Sequence, residues 1–366
     1  MMNSRSRFFS VLRRTGTALF LFSLASVSVQ HICAQPGGPP ITPQQIRNGL
    51  EAELAEIEKQ LVENPDAKYL YEVRGKVLID LFRKSEGRIE RDSFADRAFA
   101  DFDTYELLTK GSALLPRAEL HKLIWWSQVP DKGLPDLPSQ PVEVDAFRNS
   151  PHFEAAVSGY LEIIRLRERA KSTDREDEWL RDLYATVSSL YSHRARVVAG
   201  IPEAVRTMND RQLIWSDFDQ AAEHRKNSID ALTVVDVAEI YVEKGQTAYA
   251  LGEYEIALDA YQAADDYMDH NWERHCKYHG AHNCAYWKKG YVDRVSLLRA
   301  QAYLKQSNHE KVVSLLDYYL TGGPASAARC SRHFLMRAHA NRKLGRIELA
   351  RADEMKASQV SPLGCN

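Results

Sequence analysis

Long hydrophobic runs are missing from this chain. The longest, Ala18 to Val29, falls well short of the roughly 20 residues that cross a bilayer, and no later run approaches it, so no membrane span is expected beyond the N-terminus. Catalytic signatures are missing too. There is no glycine-rich phosphate loop, no H-E-x-x-H helix, no G-x-S-x-G elbow and no C-x-x-C-H haem attachment. Paired acids such as Asp265 with Asp266, or Glu176 with Glu178, are ordinary on solvated helices and identify no general acid. The expectation is a non-enzymatic protein with no cofactor. Positive charge is not in excess: 48 Lys and Arg against 50 Asp and Glu give a net charge of −2, which disfavours nucleic acid as a partner. Alternating β-branched runs are lacking as well, which leaves an all-α chain.

Cysteine is scarce, with five in 366 residues, and the positions fit an exported protein. Arg5, Arg7, Arg13 and Arg14 precede the Ala18 to Val29 run, a short mixed stretch ends at Ala34, and QPGGPP follows. That is the layout of a secretory signal peptide over residues 1–34, and it predicts a periplasmic or secreted protein. Its removal leaves 44 basic against 50 acidic residues and four cysteines. In an oxidising compartment these are expected to pair locally, Cys276 with Cys284 and Cys330 with Cys365. The second pair flanks the last helical hairpin and would fasten it shut.

The segment HNWERHCKYHGAHNC concentrates His270, His275, Cys276, His279, His282 and Cys284. Two thiolates and two imidazoles suit zinc, so a metal-binding exported helical protein is the alternative reading. The spacing matches no zinc ribbon or finger, and oxidation competes for the thiols. A protruding, disulfide-closed loop over residues 270–289, with no metal, is therefore the expectation.

Helical patterns begin after the Pro/Gly-rich start of the mature chain. Thr42 as cap, Pro43 at the first helical position and Gln45 closing a capping box launch a helix with the stripe Ile46, Leu50, Leu54, Ile57 and Leu61. Asn64 and Pro65 stop it. Residues 69–84 and 92–111 read as two more helices, in which Gly75, Ala98, Phe102 and Tyr105 suggest a degenerate repeat with an inserted loop. The helical region of residues 35–129 ends at a stretch holding Pro130, Pro135, Pro138 and Pro141, so residues 130–144 are expected to link two lobes. Just before it stand Trp125 and Trp126, of which at most one can fully face a core. Residues 145–232 are again helical with degenerate repeats; Asp217, Phe218, Ala221 and Ala222 echo the earlier ADRAFADF.

Residues 233–366 carry the clearest pattern. GQTAYALGEYEIALDAYQAA (Gly245, Gly252, Tyr254, Ala257, Tyr261, Ala264), AQAYLKQSNHEKVVSLLDYY (Ala300, Tyr303, Ser307, Val312, Leu316) and AHANRKLGRIELARADEMKA (Ala338, Gly345, Ala350, Ala357) place small, turn and closing residues at matching offsets. This resembles the tetratricopeptide repeat, a helical hairpin of about 34 residues. The resemblance implies an all-α solenoid of stacked hairpins, and a basic residue replaces the family's Leu at Lys244, Arg299 and Arg337.

The resemblance also implies that the first helix of each unit lines a concave face that takes a protein or peptide segment. Transferred position by position, that face includes Gln246, Tyr249 and Ala250, then Arg294, Leu297, Gln301, Leu304 and Lys305, then Arg332, Leu335, His339, Arg342 and Lys343. The set is basic, which favours an acidic partner. The Lys and Asn pairs with which some relatives grip a C-terminal carboxylate are not reproduced, because Gln246, Gln301 and His339 stand where Asn is needed.

Overall fold

A computed structural model describes residues 40, 42–128, 148–169, 174–228, 233–279, 281–321 and 331–360. The expected signal peptide, the Pro-rich stretch of residues 130–144 and the pair Cys330 and Cys365 lie outside the described residues. Among those described there are thirteen α-helices, one short 3₁₀ turn (Glu203–Val205) and no strand. No described helix is long and apolar enough to cross a membrane. The chain divides between Trp126 and Ser127 into two compact units.

The first unit contains α1 (Pro43–Glu63), α2 (Lys68–Lys84), α3 (Arg88–Thr109) and most of α4 (Leu114–Gln128). Thr42 and Gln45 form the capping box at the head of α1, and Leu50, Leu54, Ile57 and Leu61 are buried, whereas Ile46 in the first turn is left 38% exposed. Helices α2 and α3 pack along each other as a hairpin. Three residues join them, so the loop expected there is absent; the extra sequence lengthens the helices instead. Gly75 sits under the Phe102 ring, where an added Cβ would come within 2.4 Å of it. Trp125 is fully buried and Trp126 is 39% exposed, the split that adjacent positions on a helix require.

The second unit begins with α5 (Pro151–Arg169) and continues as four hairpins. These are α6 (Asp174–Ala199) with α7 (Met208–Asn227), α8 (Thr233–Ala250) with α9 (Tyr254–His279), α10 (Ala281–Lys305) with α11 (His309–Thr321), and α12 (Ser331–Lys343) with α13 (Ile347–Gln359). Each helix packs on its neighbour in sequence, and the first helices also touch one another in order, α6 on α8, α8 on α10 and α10 on α12. This is the packing of an all-α solenoid. Its core runs from Val198, Ile214 and Phe218 through Val242, Tyr261 and Val295 to Val312, Leu316 and Phe334.

Three turns close the last three hairpins in the same way. Gly252, Ser307 and Gly345 adopt φ of 78°, 57° and 75°, and the following amides of Glu253, Asn308 and Arg346 donate to the carbonyls of Ala248, Tyr303 and Asn341 at 2.8, 2.9 and 2.8 Å. This arrangement satisfies carbonyls that a helix end otherwise leaves open. Glycine takes the left-handed conformation without strain, while Ser307 carries a Cβ there.

Candidate functional site

Side-by-side packing of the first helices builds a face whose register is set by a recurring dipeptide. Arg194-Ala195, Lys244-Gly245, Arg299-Ala300 and Arg337-Ala338 each put a buried small residue where the two helices of a hairpin approach. At Gly245 the reason is visible: an added Cβ would meet the Tyr261 ring at 2.4 Å. The residue after each small one points outward, so Arg196, Gln246, Gln301 and His339 are exposed on successive first helices. Lys305, Arg342 and Lys343 are exposed on the same set of helices, and Tyr249 is half-buried with its ring edge-on to Tyr254 at 5.5 Å. His339 lies with its ring centroid 6.4 Å from that of His309.

The face is not uniformly basic, as the transferred residues had implied. Arg294 pairs with Glu239 across α8 and α10, and Arg196 pairs with Glu243 across α6 and α8 at 2.9 Å. Arg342 is bonded to Glu354. Glu239 and Glu243 come from other helices than the cations they meet and were not in view when positions were taken one repeat at a time, whereas Glu354 lies on the second helix of Arg342's own hairpin. Burial pushes the Glu243 carboxyl above its ordinary range, with Arg196 opposing.

No family model and no curated protein matches the chain. Its character therefore has to be read from its own repeated contacts, and the most telling lies behind the face. Arg194 donates from Nε and Nη2 to Asp217 at 2.8 Å each, and Arg337 does so to Asp353 at 2.9 and 2.6 Å, both pairs buried between the two helices of a hairpin. In the first unit Arg74 makes the same fork to Asp101 at 2.9 and 2.6 Å. The basic residue also reaches a preceding helix. Arg194 meets Glu154 at 2.8 Å, Lys244 meets Asp219 at 2.5 Å, Arg299 meets Asp265 at 2.9 Å and Arg337 meets Asp317 at 2.6 Å.

Lys244 and Arg299 are thus clasps between hairpins, and Arg194 and Arg337 clasp both within a hairpin and to the helix before it. Sequence reading missed Arg74 and Arg194 in this role. The usable signal was the pairing of a basic-small dipeptide at Arg74-Gly75 and Arg194-Ala195 with the D-F-D tripeptide that begins at Asp101 and at Asp217.

The His/Cys-rich segment also differs from its expected form. It is not a protruding loop: α9 continues to His279 and α10 starts at Ala281, so the segment is a helical extension of that hairpin. Cys276 on α9 and Cys284 on α10 are joined by a disulfide, with their Cα atoms 5.3 Å apart. With both sulfurs in that bond, neither is a thiolate ligand in this state. His275 is buried with its ring 5.2 Å from that of Trp272, and His270 Nδ1 lies 2.6 Å from the carbonyl of Asp266. Among the described residues no three His, Cys, Asp or Glu side chains converge as a metal site would require. The side chains of His279 and His282 lie outside the described residues.

Proposed function

We propose that this chain is an exported, tetratricopeptide-like module that binds a protein segment along the face formed by its first helices, and that it assembles rather than catalyses. The observation that carries this reading is the succession of exposed Gln246, Gln301 and His339, each directly after a buried small residue on first helices packed side by side. A repeat that buries three sides of each helix and keeps one polar side open at a constant register favours binding of an extended or helical partner across several units. The disulfide between α9 and α10 supports an oxidising compartment.

Site-specific photo-crosslinkers test the face in protein made through the native secretory route. Placed at Gln246, Gln301 and His339, they should give the same crosslinked product, and placed at Gln262 and Lys356 on the second helices they should give none. Equal crosslinking from both sets would refute the assignment.

A further inference from the structure

Charge is unevenly spread over the first-helix face, and the unevenness locates the partner; this step rests on the reading of that face given above. From Val295 to Lys305, and over the whole of α12, there is no carboxylate, yet Arg299, Lys305, Arg332, Arg337, Arg342 and Lys343 are all present. Three of these six are engaged elsewhere: Arg299 with Asp265, Arg337 with Asp353 and Asp317, and Arg342 with Glu354. Lys305, Arg332 and Lys343 are exposed and have no carboxylate partner among the described residues. Towards α6 the cations of the same face are answered, Arg196 by Glu243 and Arg294 by Glu239. On this face, unmet positive charge among the described residues is therefore confined to α10 and α12.

On α12 the spacing of Arg332, Leu335, His339 and Lys343 places them on one side of the helix. Leu335 is 51% exposed in the middle of this stripe. Arg332 and Lys343 are separated by about 16 Å along the axis, at ~1.5 Å per residue. Extended chain covers about 13 Å in four residues at ~3.3 Å each, a spacing that keeps both end side chains on one face, and the long Arg and Lys side chains close the remaining few ångströms. A helical partner would need its two carboxylates about eleven residues apart to span the same distance. Lys305 and Lys343 end adjacent first helices at equivalent positions, so they converge on the same end of the stripe.

We propose that α10 and α12 bind an extended acidic peptide segment with two carboxylates about four residues apart, one on Arg332 and one between Lys305 and Lys343, and an apolar side chain midway between them, on the same face of the peptide, against Leu335. The carboxylates fix direction and register, and the apolar contact supplies the buried area that exposed ion pairs do not.

The probe is an end-capped, fluorescently labelled peptide, Glu-Ser-Leu-Ser-Glu, whose two Glu and one Leu share a face when extended, titrated by anisotropy against the full mature chain at low and physiological salt. Arg332→Glu with Lys343→Glu should weaken binding by about tenfold or more, and Arg332→Gln with Lys343→Gln by a smaller factor in the same direction. Replacing both members of each neutral pair, Arg196→Gln with Glu243→Gln and Arg294→Gln with Glu239→Gln, should change it by no more than about twofold, because the net charge of that end of the face is unaltered. A peptide with Ser in place of Leu, or with its two Glu only two residues apart, should bind more weakly. Circular dichroism confirms that each variant retains its helices. Loss of binding in the Arg196 and Arg294 variant alone would overturn this placement while leaving the first-helix face intact as the binding surface. No binding of the peptide, or binding insensitive to all four face cations, would overturn the proposal; if Gln246, Gln301 and His339 also fail to crosslink, the reading of the face falls with it.

Discussion

A guanidinium buried between two helices cannot discharge, so removing its carboxylate leaves an uncompensated ion. At Arg194 both forked bonds go to Asp217 and the guanidinium carbon lies 3.6 Å from the centre of the Phe153 ring, so removing Asp217 leaves only the exposed Glu154, at 2.8 Å, against a buried cation. Asp217→Ala should lower stability by about 3–5 kcal/mol, while Arg194→Met with Asp217→Leu should restore most of that loss. Urea denaturation of the two variants beside the parent measures both effects. Equal loss in single and double variants would mean that packing, and not charge, is what the site supplies.

The clasp at Arg299 is different in kind, because it holds Asp265 through one close bond and the carboxylate is flanked by Asp269 and Asp266. Burial pushes the Asp265 carboxyl up to about 6, with Arg299 opposing. Its folded value lies above the ordinary 3.8, so the native state holds the proton more tightly between these two values. Stability from this group is fully present below the lower value and is lost as pH rises through the upper one. Compared with Asp265→Asn, the parent should therefore lose relative stability as pH is raised through that window. Denaturation midpoints for both proteins across that window give the sign directly, and a parent that gains would contradict it.

Among the elements, the three hairpin turns form a natural experiment on the left-handed conformation. Gly345→Ala should cost about 1 kcal/mol, and Ser307→Gly should gain up to about 1 kcal/mol, since only the first introduces a Cβ there and only the second removes one. Thermal unfolding resolves shifts of opposite sign. These turns were legible in the sequence because Gly252, Ser307 and Gly345 stand at one offset from a small residue, and the α1 cap was legible for a similar reason: Thr42, Pro43 and Gln45 act locally. The extension of α9 and α10 was not legible. Histidine, cysteine and Gly280 gave that segment the composition of a loop, whereas packing of the hairpin keeps it helical on both sides of residue 280. The clasps escaped notice because an Arg and its Asp lie 16, 23 or 27 residues apart, so the charges pair only after both helices are in place. The outward register of Gln246, Gln301 and His339 was readable from the repeat, but the neutralisation of Arg294 by Glu239 requires a contact 55 residues away.

For the molecule as a whole, the division after Trp126 gives each unit its own interior. The core of the first runs from Leu50 through Val77, Leu81 and Phe102 to Ile124. A chain of residues 40–128 should therefore be helical and unfold cooperatively when made alone, although a domain of that size has little stability to spare. Calorimetry of the fragment, set against the full chain, tests this; a broad, non-cooperative melt would show that the first unit depends on the second.

Mechanically, the second unit resembles a strip whose two sides respond to different loads. Ions in solution reach the exposed rungs on the first-helix side, Arg196 with Glu243 and Arg294 with Glu239, but not the forks shielded behind them at Asp217 and Asp353. Raising ionic strength therefore slackens one side of the array and leaves the other taut. In the full chain, small-angle scattering across a salt series should therefore change before far-UV circular dichroism does.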